Sequence, residues 1–276
     1  MFLPKFSSKK ILIASASSCL ALSTVALTFS LSLLTPSAQA QSRRVRYVPP
    51  TNLGTPIVST PGITRSAGCT NEKFCLIGLV PDLEVKTSPV PLTISERPTI
   101  YFLIPEFDGE ASFTLWEDDI KLAKGKRIYR ATFYLKSKAG IIAFKIPEHV
   151  QGLKLDTNYA WEFSRVPRIE NSQVLQDLKV IGTMRRVLPK QNLVTQLKEA
   201  SQPIERAALF AQEGIWYETV QTLAEAMQDD PKKAEIVREW NELLKSANLN
   251  RVLPHKFVKT NEAMSERIVK SNKNNY

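Results

Sequence analysis

At 276 residues with 43% hydrophobic side chains, the chain is long enough to bury one large core or two small ones, and its formal net charge is +10. The excess sits in the flanks: residues 41–68 carry Arg43, Arg44, Arg46 and Arg65 with no acid, residues 249–276 carry six bases against two acids, and the stretch between is close to neutral. That distribution speaks against a nucleic-acid-binding fold with a built-in basic groove, and only two histidines, His149 and His255, are present to serve His-based catalytic or metal motifs.

The first forty residues have three parts. Lys5, Lys9 and Lys10 make a basic start, Ile11 to Leu34 is apolar and uncharged, and Ala38-Gln39-Ala40 follows the helix-breaking Pro36. This pattern predicts a secretory signal over residues 1–40, cut between Ala40 and Gln41, and an exported protein in the periplasm or outside the cell. The competing reading is an uncleaved anchor, because the apolar run is long enough to cross a hydrocarbon core of roughly 30 Å. Cys19 reads as an ordinary residue of the apolar run, since Ala16 stands where a lipidation signal carries a large aliphatic side chain.

Residues 41–68 contain Pro49, Pro50, Pro56 and Pro61 among Thr, Gly and Arg, with almost no apolar periodicity, and predict a disordered tether. Cys69 and Cys75 are the two cysteines left after export, and an even count in an oxidising compartment predicts a disulfide. Their spacing is not the Cys-x-x-Cys of a redox pair, and no histidine lies near in sequence to complete a metal site.

From residue 76 the texture becomes short apolar runs between Pro, Gly and charge clusters. Strands are expected at Leu76 to Val80, Thr99 to Ile104, Ala111 to Trp116, Ile128 to Leu135, Ile141 to Ile146, Asn158 to Arg165 and Leu175 to Val187. Ala111, Phe113 and Leu115 share one face, as do Ile142, Phe144 and Ile146, and Tyr159, Trp161 and Phe163; this period of two is the mark of antiparallel strands. Seven such strands without intervening helices predict an immunoglobulin-like antiparallel β-sandwich over residues 69–188, with a distorted barrel as the alternative. Tyr159 follows a corner at Leu155-Asp156-Thr157 and is placed to hydrogen-bond back to it, with Asp156 tolerating a left-handed turn. Glu117-Asp118-Asp119 reads as an acidic hairpin tip rather than a calcium loop, which needs six or more oxygens. His149 reads as a solvent-facing loop residue.

Pro189 closes the β region, and residues 189–249 read as a small helical domain. Helices are expected at Asn192 to Ala200, after a Ser201 cap with Pro203 in the first turn, after Gly214, and after an Asp230-Pro231 cap pair. Ala207, Phe210, Gly214, Trp216, Thr219, Leu223, Ala226 and Pro231 follow the spacing of one tetratricopeptide unit. No second unit follows, so the hairpin is expected to pack on the sandwich rather than to form a ready-made peptide groove. Trp216 and Tyr217 project about 100° apart on a helix. They are the candidate interaction residues, weighed against the plainer expectation that both are buried. Residues 250–276 are polar and basic and predict a disordered tail.

Cys69 to Cys75, Glu96-Arg97-Pro98 before Ile100-Tyr101-Phe102, Ala139-Gly140-Ile141, Tyr159-Ala160-Trp161, and Gly214-Ile215-Trp216-Tyr217 through Trp240 together resemble a secreted cyanobacterial family known as domain of unknown function nine hundred twenty-eight. The resemblance runs from Thr64 to Leu249 and implies no catalytic residue or substrate. Members of that family accompany caspase-like and repeat-containing proteins, which implies an interaction role. Asp156, where the family pattern has Gly, and the long basic tail depart from it.

These features define an α+β chain without Gly-x-Ser-x-Gly, His-Glu-x-x-His or a phosphate-cradling loop. The expectation is a non-enzymatic exported envelope protein, structural or protein-interacting, with no catalytic residue, cofactor or metal. Its partner is expected to be another envelope protein, with weak contact of the basic flanks to anionic cell wall or lipid and no nucleic acid. The alternatives are a carbohydrate-binding sandwich using Trp116 or Trp161, and a hydrolase built on paired carboxylates.

Overall fold

Alternation of inward and outward side chains builds most of the β structure. In the computed structural model, which describes residues 44–51, 76–82, 89–117, 125–165, 169–170, 173–174 and 179–258, ten strands precede four α-helices. The strands are β1 (Ile77–Gly78), β2 (Leu92–Thr93), β3 (Thr99–Ile104), β4 (Phe107–Glu117), β5 (Lys126–Ser137), β6 (Gly140–Lys145), β7 (Asn158–Arg165), β8 (Ile169–Glu170), β9 (Gln173–Val174) and β10 (Lys179–Arg186). The helices are α1 (Gln191–Glu199), α2 (Pro203–Gln212), α3 (Trp216–Asp229) and α4 (Ala234–Ser246), followed by a 3₁₀ turn at Asn250–Val252. The chain is α+β. The expected signal sequence over residues 1–40, its expected Ala40–Gln41 cleavage junction and the expected Cys69–Cys75 disulfide lie outside the described residues.

One sheet has the order β1-β3-β6 and the other β2-β10-β7-β4-β5; β8 and β9 form a separate pair. All pairings are antiparallel except β2 with β10, which is parallel. The two larger sheets meet through aromatic rings. Phe102 of β3 stacks on Phe163 of β7 at 4.6 Å between ring centres, and Phe113 of β4 stacks on Phe144 of β6 at 4.2 Å. The core therefore lies between the sheets, where interdigitated rings exclude water.

Strand identity follows the sequence pattern closely, with β3 and β7 spanning the expected residues. β2, β8 and β9 were not anticipated, because a two-residue strand has too few positions to show a period. The corner before β7 forms as expected: the Lys154 N–H donates to the Tyr159 hydroxyl at 2.8 Å, and Asp156 adopts φ 54°.

The helices continue the same core. Ala207, Trp216, Thr219, Leu223 and Ala226 are all buried, the small ones letting α2 and α3 approach closely. A satellite cluster joins Leu92 of β2, Leu193 of α1, and Leu209, Phe210 and Ile215. One buried cluster runs from Ile100 and Phe113 through Trp161 to Trp216 and Leu243, so the expected border at residue 188 separates β from α but not one core from another. Two helix starts are corrected. Gln202, not Ser201, caps α2, its N–H donating to Glu205 Oε2 (3.4 Å). Asp230-Pro231 does not open α4. The Lys233 N–H closes a turn on the Asp230 carbonyl, and Lys233 is the cap.

Both expected flanking coils are corrected in part. Residues 44–51, assigned to the tether, pack against the helices. Residues 250–258, assigned to the tail, return to the β region: Ile141 N–H donates to the Lys256 carbonyl (2.8 Å), Val258 N–H donates to the Ile141 carbonyl (3.0 Å), and Phe257 packs on Trp240 and Tyr101. In each case a long-range partner supplies the hydrogen bonds and apolar cover that a polar or Pro-rich segment cannot supply locally.

Candidate functional site

The arm formed by residues 44–51 has the alternation of an extended strand. Val45 and Tyr47 are buried at 0% and 5% exposure, while Arg44, Arg46 and Val48 face solvent. Its seat is made by three helices. Val45 N–H donates to Glu239 Oε2 on α4 (2.9 Å), Tyr47 N–H donates to Ser246 Oγ at the end of α4 (3.0 Å), and Val48 N–H donates to the Ala211 carbonyl of α2 (3.0 Å). The Tyr47 ring meets Trp216 of α3 edge-on at 5.0 Å. Arg44 and Arg46 both reach Glu242 Oε2, at 3.6 and 3.5 Å.

Magnitudes rank these contacts. Exposed ion pairs contribute about 0–1 kcal/mol and a net hydrogen bond about 1 kcal/mol, whereas burying a side chain the size of Val contributes roughly 1.5–3 kcal/mol. Apolar burial of Val45 and Tyr47 holds the arm, and the arginines orient it. Glu239 is wholly buried yet fully used, with Oε1 accepting from Arg238 Nε (3.0 Å). The Tyr47 hydroxyl is enclosed without a hydrogen-bond partner among the described residues, and burial pushes its pKa up.

Gly214 ties the arm to the helical turn. Its φ of 71° is left-handed, a conformation that lets α2 end and α3 begin at once. A Cβ there would stand 2.8 Å from Pro50 Cδ, so the arm's last turn also needs the missing side chain. The Gly214 carbonyl accepts from Leu92 N–H (3.2 Å), which brings β2 alongside.

The two candidate interaction residues, Trp216 and Tyr217, present no surface. Trp216 is 0% exposed and its Nε1–H donates to the Leu79 carbonyl (2.7 Å). Tyr217 is 3% exposed; its hydroxyl accepts from Trp161 Nε1 (3.0 Å) and donates to the Thr183 carbonyl (2.8 Å). Burial drives the pKa of that hydroxyl far up. Adjacent on the helix, the two rings bind different parts of the β structure, the loop after β1 and strand β10. They are the bolts between helices and sheets. Trp161 is wholly buried and offers no sugar platform, which leaves Trp116, half-buried near the end of β4. Glu117 pairs with Lys154 (2.6 Å), and Asp118 and Asp119 lie outside the described residues. His149 is exposed and rests edge-on against Tyr129.

Sequence reading missed Glu218. One oxygen, Oε1, accepts from the Thr93 hydroxyl (2.6 Å), Ile94 N–H (3.1 Å) and Ser95 N–H (3.0 Å), pinning β2 to α3. The residue is half-buried, but its carboxyl end is enclosed and Oε2 has no partner among the described residues. Desolvation raises its pKa against the opposing pull of these donors. A carboxyl group with a folded pKa above its unfolded value stabilises most below the unfolded pKa, and that contribution is lost as pH rises through the folded value. Glu218→Gln keeps an acceptor for the three donors and removes the titration. Urea unfolding between pH 4 and pH 8, marking roughly the ordinary carboxylate range and above it, is expected to show the wild type losing ground to Glu218→Gln as pH rises. A pH-independent difference between the two would show that this carboxyl group does not titrate abnormally.

The period-two pattern Arg44-Val45-Arg46-Tyr47-Val48 was the available signal for the arm, overshadowed by the prolines that follow it. A family model described as Domain of Unknown Function (DUF928) matches residues 60–257. No curated protein matches the chain. The matched residues contain the whole seat, while the arm lies N-terminal to them.

Proposed function

The chain belongs to the DUF928 family, and from that premise we propose that it is a non-enzymatic, exported protein-interaction module of the cell envelope whose helical unit holds extended segments of protein. The observation that supports this best is the arm itself. An extended, alternating, partly basic segment lies across α2, α3 and α4 through three main-chain N–H groups, two buried side chains and a shared carboxylate. Main-chain hydrogen bonds give such a seat affinity for any extended segment, and pockets for alternate side chains give it selectivity. The sheet order β2-β10-β7-β4-β5 over β1-β3-β6, with the Tyr159 corner, supports an immunoglobulin-like arrangement of the β part. The burial of Ala207, Phe210, Thr219, Leu223 and Ala226, at the positions the repeat spacing marks on α2 and α3, supports the tetratricopeptide-like reading of the hairpin. Export rests on the sequence of residues 1–40, and the non-enzymatic reading on the motifs that the sequence lacks.

The test is a pull-down from envelope extracts with the tagged chain and with Val45→Asp, which places a charge at a buried position and frees the seat. The variant is expected to retain a specific envelope protein more strongly than the wild type, and a synthetic peptide with the sequence of residues 42–51 is expected to release it. Recovery of polysaccharide alone, or retention indifferent to the peptide, would sink the reading.

A further inference from the structure

We infer that the arm of one chain can occupy the helical seat of a second copy, so that this protein associates by exchanging residues 44–51. The inference rests on the reading of the helical unit as a holder of extended segments, and the segment held is the arm itself.

Three observations carry it. The first is chemical fit. Val45 and Tyr47 enter the core with 0% and 5% exposure, Arg44 and Arg46 share Glu242, and the N–H groups of Val45, Tyr47 and Val48 find acceptors on α4 and α2. A second copy supplies the same side chains and the same donors, so an exchanged arm makes the contacts of the original and nothing is lost in contact energy. Exchange of an identical element is for this reason a low-cost route to association.

The second is the nature of the contacts. The hydrogen bonds to the helices come from the arm's own main chain, and their partners lie 194 and 199 positions away, at Glu239 and Ser246. The arm thus behaves as a docked ligand that happens to be covalently joined. Its orienting charges are complementary to the seat, cationic on the arm and anionic at Glu242, which favours this segment over an acidic one.

The third is reach. The arm is joined to β1 through residues 52–75. Counting only as far as Cys69, covalent geometry limits the span of that many residues to at most roughly 60 Å. A compact unit of this size is roughly 40 Å across. The same connection sets the balance between the two arrangements. Because the arm is covalently joined to its own seat, it competes as an intramolecular partner, for which effective concentrations are on the order of millimolar. Isolated copies at micromolar concentration therefore close on themselves, and exchange is favoured where copies are crowded or where a chain's own seat is blocked.

The experiment uses two full-length variants that cannot close on themselves. Val45→Asp has an open seat and a disabled arm; Ser246→Arg has an intact arm and a seat obstructed by a bulky cation at the acceptor of Tyr47 N–H. Light scattering of each alone is expected to give monomer, and an equimolar mixture a species of twice the mass, which the peptide of residues 42–51 dissociates. If Val45→Asp does not fold, Val45→Ala/Tyr47→Ala replaces it, since it removes the apolar burial that holds the arm without placing a charge in the core. If the mixture stays monomeric while the peptide binds the open seat saturably, exchange is overturned and the holding role stands. If the peptide does not bind either, both fall.

Discussion

Replacing Trp216 by alanine is expected to lower stability by about 3–5 kcal/mol, a large fraction of the roughly 5–15 kcal/mol that holds a domain of this kind together. The side chain is wholly buried. It makes three separate connections: to α3 by its backbone, to the arm through the Tyr47 ring at 5.0 Å, and to the loop after β1 through the bond from Nε1 to the Leu79 carbonyl. Truncation leaves a cavity at the junction of all three and an unpaired buried carbonyl. Trp216→Phe separates the effects, since it keeps most of the apolar volume but loses the donor, and is expected to cost less, with the unpaired carbonyl accounting for about 1–3 kcal/mol. Urea unfolding followed by far-UV circular dichroism measures both. A loss for Trp216→Ala within about 1 kcal/mol of wild type, the range of an ordinary surface change, would mean that this ring is not the bolt described above.

The second large effect is expected at Gly182 in β10. A Cβ there would lie 2.1 Å from Trp161 Cζ2 and 2.5 Å from Cε2, well inside contact distance. The indole has little room to yield. Its Nε1–H is fixed on the Tyr217 hydroxyl, and Phe102 packs edge-on against it at 5.3 Å. Gly182→Ala is therefore expected to cost about 3 kcal/mol or more, at the upper end of what overpacking does. The cause is specific and so is its check. In a Trp161→Phe background, which removes the part of the ring that collides, the added cost of Gly182→Ala should fall to less than half. This non-additivity is the sign of direct contact. Equal costs in both backgrounds would locate the strain elsewhere.

Much of the β region was legible because its strands are long enough to show a period. Tyr159, Trp161 and Phe163 point one way at every second position, and β7 spans the residues that this alternation marks. The Tyr159 corner was legible for a related reason, since a turn and the bond that closes it lie within five residues of each other. Helix spacing placed α2 and α3 on either side of Gly214.

The candidate site was hardly legible. Trp216 and Tyr217 were singled out as large aromatics on a helix, but spacing gives only the angle between them, not what lies opposite. Nothing in the helix spacing marked Glu218 or Glu239. They are enclosed because β2 and the arm come to lie over them.

What the sequence determined by itself was local: the class of structure, the period of each long element, the turn at Gly214 and the corner at Tyr159. These rest on interactions between residues a few positions apart. The tertiary structure alone decided which segments with no pattern of their own would be ordered. The arm at residues 44–51, the two-residue β2 and the return of Phe257 to β6 are held by partners more than ninety positions away in the chain. No window along the sequence contains both halves of such a contact, and the ordering entropy of these short segments is offset only once both halves are in place.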